Sequence, residues 1–281
     1  MKLIDIAIHM ATLYQKNPKV KAVLLAGSVS RGWEDKHSDI ELNLFWSEAP
    51  TDDDRMNPIE AINGSIIDFH AYEEEEWAES YLTEENVKLE ISSFLIGTAE
   101  IWIDDVVKKY EIDYGKQCMV SSIYYGQSLF GDSIIKDLKK KIEQYPDKLA
   151  ENMIEENLAL WQRWNNRNAL LDRKDWLMLY DLMGSVQKKL MGTLFGLNNL
   201  FIHHPSFKWM HACIELFKIK PKNLDERFTK ILIGDPNESI GELEQLVEEV
   251  FVLVEQQYPH LPFLDTYKEK LQFVRPQQEV E

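Results

Sequence analysis

The chain has 281 residues, 44% of them hydrophobic, and a formal net charge of −17 at pH 7. This apolar content excludes a disordered chain, and the acidic balance disfavours a protein that binds long nucleic acids. No apolar run reaches the roughly 18 residues of a membrane span, and the N-terminus lacks a signal-peptide pattern. Cys118 and Cys213 form no CxxC pair, so we expect a cytoplasmic protein without disulfides.

The first half of the chain predicts a helix followed by several strands. Residues 3–14 repeat apolar side chains at helical spacing, and residues 20–26 form a short apolar run typical of a buried strand. Residues 39–46 alternate polar and apolar side chains, which predicts a second strand. The sequence predicts a third strand at residues 65–71, after an Asn-Gly turn, and one or two more within residues 87–103.

From about residue 120 the pattern changes to long helical periodicity, and prolines separate the periodic segments. These segments are residues 133–145, 150–171, 174–196, 206–218 and 240–257. We therefore predict an α+β fold with two domains, an α/β domain at residues 1–120 and a helical domain at residues 121–281.

The residues with the clearest chemical pattern lie between Leu25 and Leu42. Asp39 and Glu41 are two positions apart on a predicted strand, so their carboxylates point to the same face. Two adjacent carboxylates repel each other unless a cation lies between them, and hard oxygen ligands favour Mg²⁺. The pattern therefore predicts a magnesium site.

A phosphate site is predicted beside this metal site. Gly27 and Ser28 follow the first strand directly, and a glycine there lets the backbone approach a phosphate closely. Ser28 adds a hydroxyl donor. Arg31, in the same loop, either contacts phosphate or is a solvated side chain.

Asp68 is a further acidic side chain with an unusual position, because it lies between Ile67 and Phe69 in the third predicted strand. An acidic side chain in a buried strand needs a partner, since an unpaired buried charge is costly. We expect this strand to lie beside the strand of Asp39. The sequence leaves open whether Asp68 is a metal ligand or a catalytic base.

The Gly-Ser pair, a ten-residue spacer and Asp-x-Glu resemble the signature of the nucleotidyltransferase superfamily that includes DNA polymerase β. The sequence segments GSxSRG and SDIEL resemble the corresponding segments of antibiotic nucleotidyltransferases that act on aminoglycosides and lincosamides. This resemblance implies a small mixed sheet with flanking helices, followed by a helical bundle that binds the acceptor. It also implies that Asp39 and Glu41 bind Mg²⁺, and that a third carboxylate, for which Asp68 is the matching candidate, completes the catalytic site or acts as a base. A looser similarity at residues 194–210 implies that Lys208 reaches the triphosphate, although a surface lysine is an equally simple interpretation.

These features predict transfer of a nucleoside monophosphate from a nucleoside triphosphate, with ATP as the expected donor, to a small hydroxyl-bearing acceptor. The negative charge favours a cationic acceptor, and the acidic runs Asp52–Asp54 and Glu73–Glu76 are either solvated faces or the rim of its cleft. Two alternatives remain open: a non-catalytic, antitoxin-like nucleotide-binding module, and a nucleotidyltransferase that modifies a protein or tRNA.

Overall fold

A computed structural model describes residues 2–273, except for the side chains of Trp161 and Gln162. Residues 274–281, the end of the predicted helical domain, lie outside the described residues. The chain divides into two compact units, one formed by residues up to 109 with 115–144 and the other by residues 110–114 with those from 145 onwards. Residue 120, the predicted domain boundary, lies in the first unit and within a helix.

All strands of the described residues lie in the first unit and form one six-stranded sheet. They are β1 (Val20–Leu25), β2 (Ile40–Trp46), β3 (Ser65–Phe69), β4 (Trp77–Leu82), β5 (Lys88–Leu95) and β6 (Gln127–Phe130). The order across the sheet is β3-β4-β5-β2-β1-β6, and β2 pairs with β5 in parallel while the other neighbours are antiparallel. The predicted α+β class and mixed sheet are therefore observed.

The first unit also contains most of six helices. They are α1 (Leu3–Tyr14), α2 (Gly27–Arg31), α3 (Asp52–Glu60), α4 (Ile96–Val107), α5 (Tyr114–Tyr125) and α6 (Asp132–Lys141). One face of the sheet packs against α1 and α3, where Leu42 and Leu44 of β2 meet Met10 of α1 and Ile59 of α3 in a buried core. Because side chains alternate along β2, these leucines point toward the helices. Glu41 and the other intervening side chains point to the opposite face of the sheet.

The opposite face of the sheet carries polar side chains and meets α4 and α5. Trp102 of α4 packs edge-on against Phe94 of β5, with 5.5 Å between the ring centroids. On α5, the Ser122 hydroxyl accepts a hydrogen bond of 2.6 Å from the Asn43 amide of β2. Because Asn43 lies two residues after Glu41, this bond fixes α5 beside the predicted metal ligands.

The second unit is helical throughout its described elements. These are α7 (Asp147–Leu158), α8 (Trp161–Trp164), α9 (Arg167–Arg173), α10 (Trp176–Leu197), α11 (Met210–Leu216), α12 (Leu224–Ile233), α13 (Pro236–Gln257) and α14 (Leu264–Gln272). The two longest helices, α10 and α13, each have 22 residues, and α10 packs closely against α7. None of the helices in residues 2–273 has both the length and the apolar character that crossing a bilayer requires.

The sequence analysis misses several elements. The helix at residues 3–14 and the first three strands are confirmed within two residues. The unpredicted elements are β4, β6, α2, α3, α4, α5, α12 and α14. Residues 87–103 contain one strand, β5, and the start of α4 instead of one or two strands. Strand β2 begins at Ile40, so Asp39 immediately precedes the strand instead of beginning it.

Candidate active site

The candidate site begins where β1 ends. Ala26 stays in register with β2 and donates its N–H to the Glu41 carbonyl oxygen at 2.9 Å. Gly27 then turns the chain with a φ of +61°, a left-handed conformation that favours glycine, and starts the five-residue helix α2. The Ser30 hydroxyl closes this turn by donating to the Gly27 carbonyl at 2.9 Å. The predicted loop after the first strand is thus a compact turn of helix next to β2.

Gly27 leaves room for the side chain of Glu41. A Cβ atom on Gly27 would lie 2.5 Å from Glu41 Oε1 and 2.7 Å from Oε2, closer than any real contact. The absence of a side chain therefore lets the carboxylate of β2 rest against the backbone of the turn. Gly27 serves both the backbone conformation and the placement of a predicted metal ligand.

Three carboxylates converge on the polar face of the sheet. Asp39, Glu41 and Glu90 each offer an oxygen atom, and these atoms lie within 4.8 Å of one another. Glu41 and Glu90 are register partners in the parallel pair of β2 and β5, which places their side chains next to each other on one face. Asp39 and Glu41 are half-buried, whereas Glu90 is exposed. The structure therefore brings together the two predicted ligands and a third that the sequence analysis misses.

The prediction that the Asp68 strand lies beside the Asp39 strand is wrong. Asp68 lies on the edge strand β3, and β4 and β5 separate β3 from β2. At a strand spacing of about 4.8 Å, Asp68 is about 14 Å from β2 along the sheet. It is exposed and accepts a hydrogen bond of 3.3 Å from the Ser80 hydroxyl. Because Asp68 is exposed, its charge is solvated and needs no metal ion to compensate for burial.

Asp68 nevertheless shares a row with the carboxylate group. Register partners run across the sheet from Asp68 to Ser80, then to Glu90 and to Glu41. Partners in adjacent strands point to the same face, so the row presents three carboxylates and one hydroxyl on the polar face. Asp68 is therefore on the correct face and at a distance of three strands from Glu41.

Lys88 lies against the three-carboxylate group. Its ammonium donates to the Glu90 carboxylate and lies 3.6 Å from Asp39 Oδ2. The bond to Glu90 is the main reason that the pKa of Lys88 is raised, and Asp39 adds to it. Lys88 therefore carries a positive charge next to the oxygens that are the candidate metal ligands.

The remaining predicted phosphate contacts lie in different places. Ser28 is 5% exposed at the start of α2. Arg31 ends that helix, donates to the Ser121 hydroxyl of α5 at 3.0 Å and lies over the rings of Trp33 and Tyr125. Its position next to α5 is thus fixed by several contacts. Lys208 is exposed in the turn before α11, in the second unit, and its role at the triphosphate stays a prediction.

The acidic runs also receive distinct positions. Asp52–Asp54 begin α3, which packs on the apolar face of the sheet, opposite the three carboxylates, so their assignment to a cleft rim is wrong. Glu73–Glu76 connect β3 and β4, and Glu75 accepts a hydrogen bond from Trp102 of α4 on the polar face. The second run alone lies on the side of the candidate site.

The donor set fits a hard divalent cation. Three carboxylates supply oxygen ligands only, and their oxygens are close enough for one cation to contact all three. Two of the three carboxylates are half-buried, so their mutual repulsion is screened by water less than it would be at an open surface. A cation relieves that repulsion, and Asp39, Glu41 and Glu90 are the residues that could hold it.

The chain is similar to a family of unknown function and to an adenyltransferase of known structure. A family model described as a domain of unknown function (DUF4037) matches residues 114–210, which is less than half of the chain. No curated protein matches the chain. A crystal structure of an aminoglycoside 6-adenyltransferase from Bacillus subtilis aligns with 96% of this chain and 91% of its own, at 10% identity and a TM-score of 0.32. At this TM-score the two structures superpose too poorly for fold or activity to be transferred.

Proposed function

We propose that the protein is a Mg²⁺-dependent nucleotidyltransferase that moves a nucleoside monophosphate from a nucleoside triphosphate to a hydroxyl of a small acceptor. The observation that supports this proposal most is the group of Asp39, Glu41 and Glu90 on two neighbouring strands. This group lies against the Gly27 turn, whose lack of a side chain leaves space for the Glu41 carboxylate. The resemblance of the Gly-Ser and Asp-x-Glu segments to the superfamily agrees with it.

Asp39, Glu41 and Glu90 would hold the metal, which would supply positive charge for the triphosphate and for the transition state. The chain itself orients the reactants. Backbone N–H groups and the hydroxyl at Gly27 and Ser28 bind phosphate oxygens next to the carboxylates.

The reaction exchanges one phosphorus–oxygen bond for another. The acceptor hydroxyl oxygen attacks the α-phosphorus in line, the bond to the β-phosphate breaks and pyrophosphate leaves. A carboxylate accepts the hydroxyl proton, and Glu90, exposed beside Asp39 and Glu41, is the candidate. Asp68, three strands away from Glu41, is too distant for either predicted role at this site, metal ligand or base.

The identity of the acceptor belongs to the same proposal. We expect a cationic acceptor, because the chain carries −17 and Glu73–Glu76 lie on the polar side of the sheet. The resemblance to antibiotic nucleotidyltransferases favours an aminoglycoside-like or lincosamide-like cation. Two further assignments stay predictions: that residues 121–281 bind the acceptor, and that Arg31 and Lys208 contact the triphosphate.

Lys208→Ala tests the predicted contact of Lys208 with the triphosphate. This variant should raise the apparent KM for the triphosphate more than that for the acceptor.

The experiment is a pyrophosphate-release assay with each of the four nucleoside triphosphates and a panel of aminoglycosides and lincosamides. The wild-type protein should release pyrophosphate only with Mg²⁺ and an acceptor. Asp39→Asn and Glu41→Gln should reduce the rate at least about a hundredfold, because each removes a ligand charge from the site. Near-normal turnover in either variant would remove these residues from the mechanism.

Glu90→Gln and Asp68→Asn are a matched pair that compares the third carboxylate of the group with the one that the sequence predicted. Each removes one charge from an exposed position in the same row. Glu90→Gln should weaken Mn²⁺ binding, measured by electron paramagnetic resonance, because Glu90 is a proposed ligand. Asp68→Asn should leave Mn²⁺ affinity unchanged. Nucleotide binding without pyrophosphate release under all conditions would favour the non-catalytic, antitoxin-like alternative.

A further inference from the structure

The ammonium of Lys88 contacts the same carboxylate oxygens that are proposed as metal ligands. Lys88 is the first residue of β5 and lies two positions before Glu90, so both side chains point to the polar face. The ammonium binds Glu90 and lies 3.6 Å from Asp39 Oδ2, which belongs to the neighbouring strand segment. It thus joins two of the three carboxylates across the pair of β2 and β5.

We propose that Lys88 is a built-in counter-cation that competes with the divalent metal for Asp39 and Glu90 and so sets the metal affinity of the site. This inference rests on the proposed function. Three carboxylates and one ammonium give the group a charge of about −2, so the lysine relieves part of the carboxylate repulsion. A divalent cation at the same oxygens would lie within a few ångströms of the ammonium, and the two positive charges repel each other.

The lysine side chain can leave without a change in the fold. Lys88 is 38% exposed and has a flexible four-carbon stem, and the described structure gives its ammonium no contacts beyond Asp39 and Glu90. Binding of the metal therefore includes the free energy of breaking these two contacts. Removing the ammonium should strengthen metal binding, whereas loss of an ordinary structural residue would weaken it.

The test uses the full-length protein, stripped of divalent cations, and Mn²⁺ alone as the probe. Lys88→Met should bind Mn²⁺ roughly tenfold tighter than wild type in an electron paramagnetic resonance titration, because the repelling charge is gone. Without divalent cations Lys88→Met should melt at a lower temperature than wild type, and saturating Mn²⁺ should reverse this difference. Lys88→Gln provides a second neutral variant if Lys88→Met folds poorly.

Two controls isolate the position and the charge. Lys140→Met removes one positive charge from another exposed ion pair of the first unit, with Asp137, and should leave Mn²⁺ affinity unchanged. Lys88→Arg keeps the charge and should stay within about threefold of wild type. Unchanged or weaker Mn²⁺ binding in both neutral variants would overturn the role of Lys88.

Failure of this inference can be told from failure of the proposed function. If wild type binds Mn²⁺ and Asp39→Asn does not, the metal site stands whatever the Lys88 variants do. If neither wild type nor Lys88→Met binds Mn²⁺, the metal site itself is wrong, and the proposed function falls with it.

Discussion

Among single residues, Gly27 has the most constrained position in the candidate site. Its positive φ disfavours a side chain, and a Cβ atom at Gly27 would displace the adjacent Glu41 carboxylate. Gly32 has a φ of +68°, but no atom lies within 4 Å of the place where its Cβ would be. The two glycines therefore separate the cost of the backbone conformation from the cost of displacing Glu41.

We predict that Gly32→Ala lowers the free energy of unfolding by about 1 kcal/mol, the cost of a left-handed conformation in a residue with a side chain. Gly27→Ala should lower it by more and should also weaken Mn²⁺ binding at least about tenfold, because Glu41 must move. Chemical denaturation and metal titration of the two variants measure both effects. Equal effects of the two substitutions would show that the contact between Gly27 and Glu41 does not position the carboxylate.

A second prediction concerns Glu79, whose carboxyl group accepts a hydrogen bond from the buried guanidinium of Arg55. Arg55 is fully buried, donates to Glu79 at 2.8 Å and to the Ala78 carbonyl at 3.0 Å, and lies 3.9 Å from the Phe69 ring centroid. Burial raises the pKa of Glu79 to about 7, although the Arg55 guanidinium opposes this shift. The folded protein therefore holds a proton that the unfolded chain releases near pH 4.5.

Glu79 should consequently contribute stability below pH 4.5 that is lost as the pH rises through about 7. Between pH 5 and 7 this group should reduce the free energy of unfolding of wild type by about 2 kcal/mol. Glu79→Gln removes the titration, so the difference between wild type and variant should change by that amount across this range. Denaturation of both proteins at pH 5 and 7 checks it, and parallel pH dependences would contradict a titrating Glu79.

The candidate site is predictable from the sequence only where the signal is local. Asp39 and Glu41 follow from alternation next to a Gly-Ser pair. Glu90 also lies between two apolar residues, Leu89 and Ile91, and that alternation is the signal that could have found it. Asp68 has the same pattern, however. Which strand lies beside β2 is decided by pairing between distant segments, which no local pattern contains.

At the scale of elements, long apolar repeats make α1, α10 and α13 predictable, whereas short or acidic elements are not. Strand β6 has only four residues. Helix α3 begins in the run Asp52–Asp54, and Thr51 and Asp54 bond each other's backbone N–H groups there in a capping box. The Thr-x-x-Asp spacing is a helix-start signal that an interpretation based on charge alone overlooks.

The contact between α7 and α10 in the second unit gives a prediction at this scale. A Cβ on Gly192 of α10 would lie 2.5 Å from Asn157 Oδ1 of α7, and Asn157 also accepts a hydrogen bond of 2.8 Å from Tyr114. Gly184, on the same helix, has no atom within 4 Å of its Cβ position. The close packing of α7 against α10 thus depends on Gly192 and not on Gly184.

Gly192→Ala should destabilise the protein by about 1–3 kcal/mol, because the added methyl group forces the helices apart or breaks the bond to Tyr114. Gly184→Ala should stabilise it by up to about 1 kcal/mol, since alanine has the higher helix propensity. Thermal and chemical denaturation of the two single variants test the pair. Destabilisation by both substitutions would mean that general crowding along α10, and not the contact at Gly192, limits side-chain size.

At the scale of the whole molecule, the net charge of −17 should favour the binding of a cationic acceptor and disfavour that of a polyanion. A cationic acceptor is attracted over a Debye length of about 8–10 Å, and a polyanion is repelled. Glu73 and Glu74 are exposed on the loop between β3 and β4. Glu75 of the same loop accepts a hydrogen bond from Trp102 of α4, so the loop lies on the polar side of the sheet. These two residues are the natural source of a local field at the site.

With Mg²⁺ and nucleotide saturating, we predict that raising NaCl from about 50 to 300 mM increases the apparent KM of a cationic acceptor roughly threefold or more. Replacing Glu73 and Glu74 together by glutamine should raise that KM at low salt and reduce its salt dependence. The control is Asp53→Asn with Glu60→Gln, which removes two exposed charges from α3 on the other face of the sheet and should change neither. A neutral sugar turned over efficiently and without a salt effect would contradict the cationic acceptor. It would leave the proposed nucleotidyl transfer intact, because the three carboxylates and the Gly27 turn act on the triphosphate.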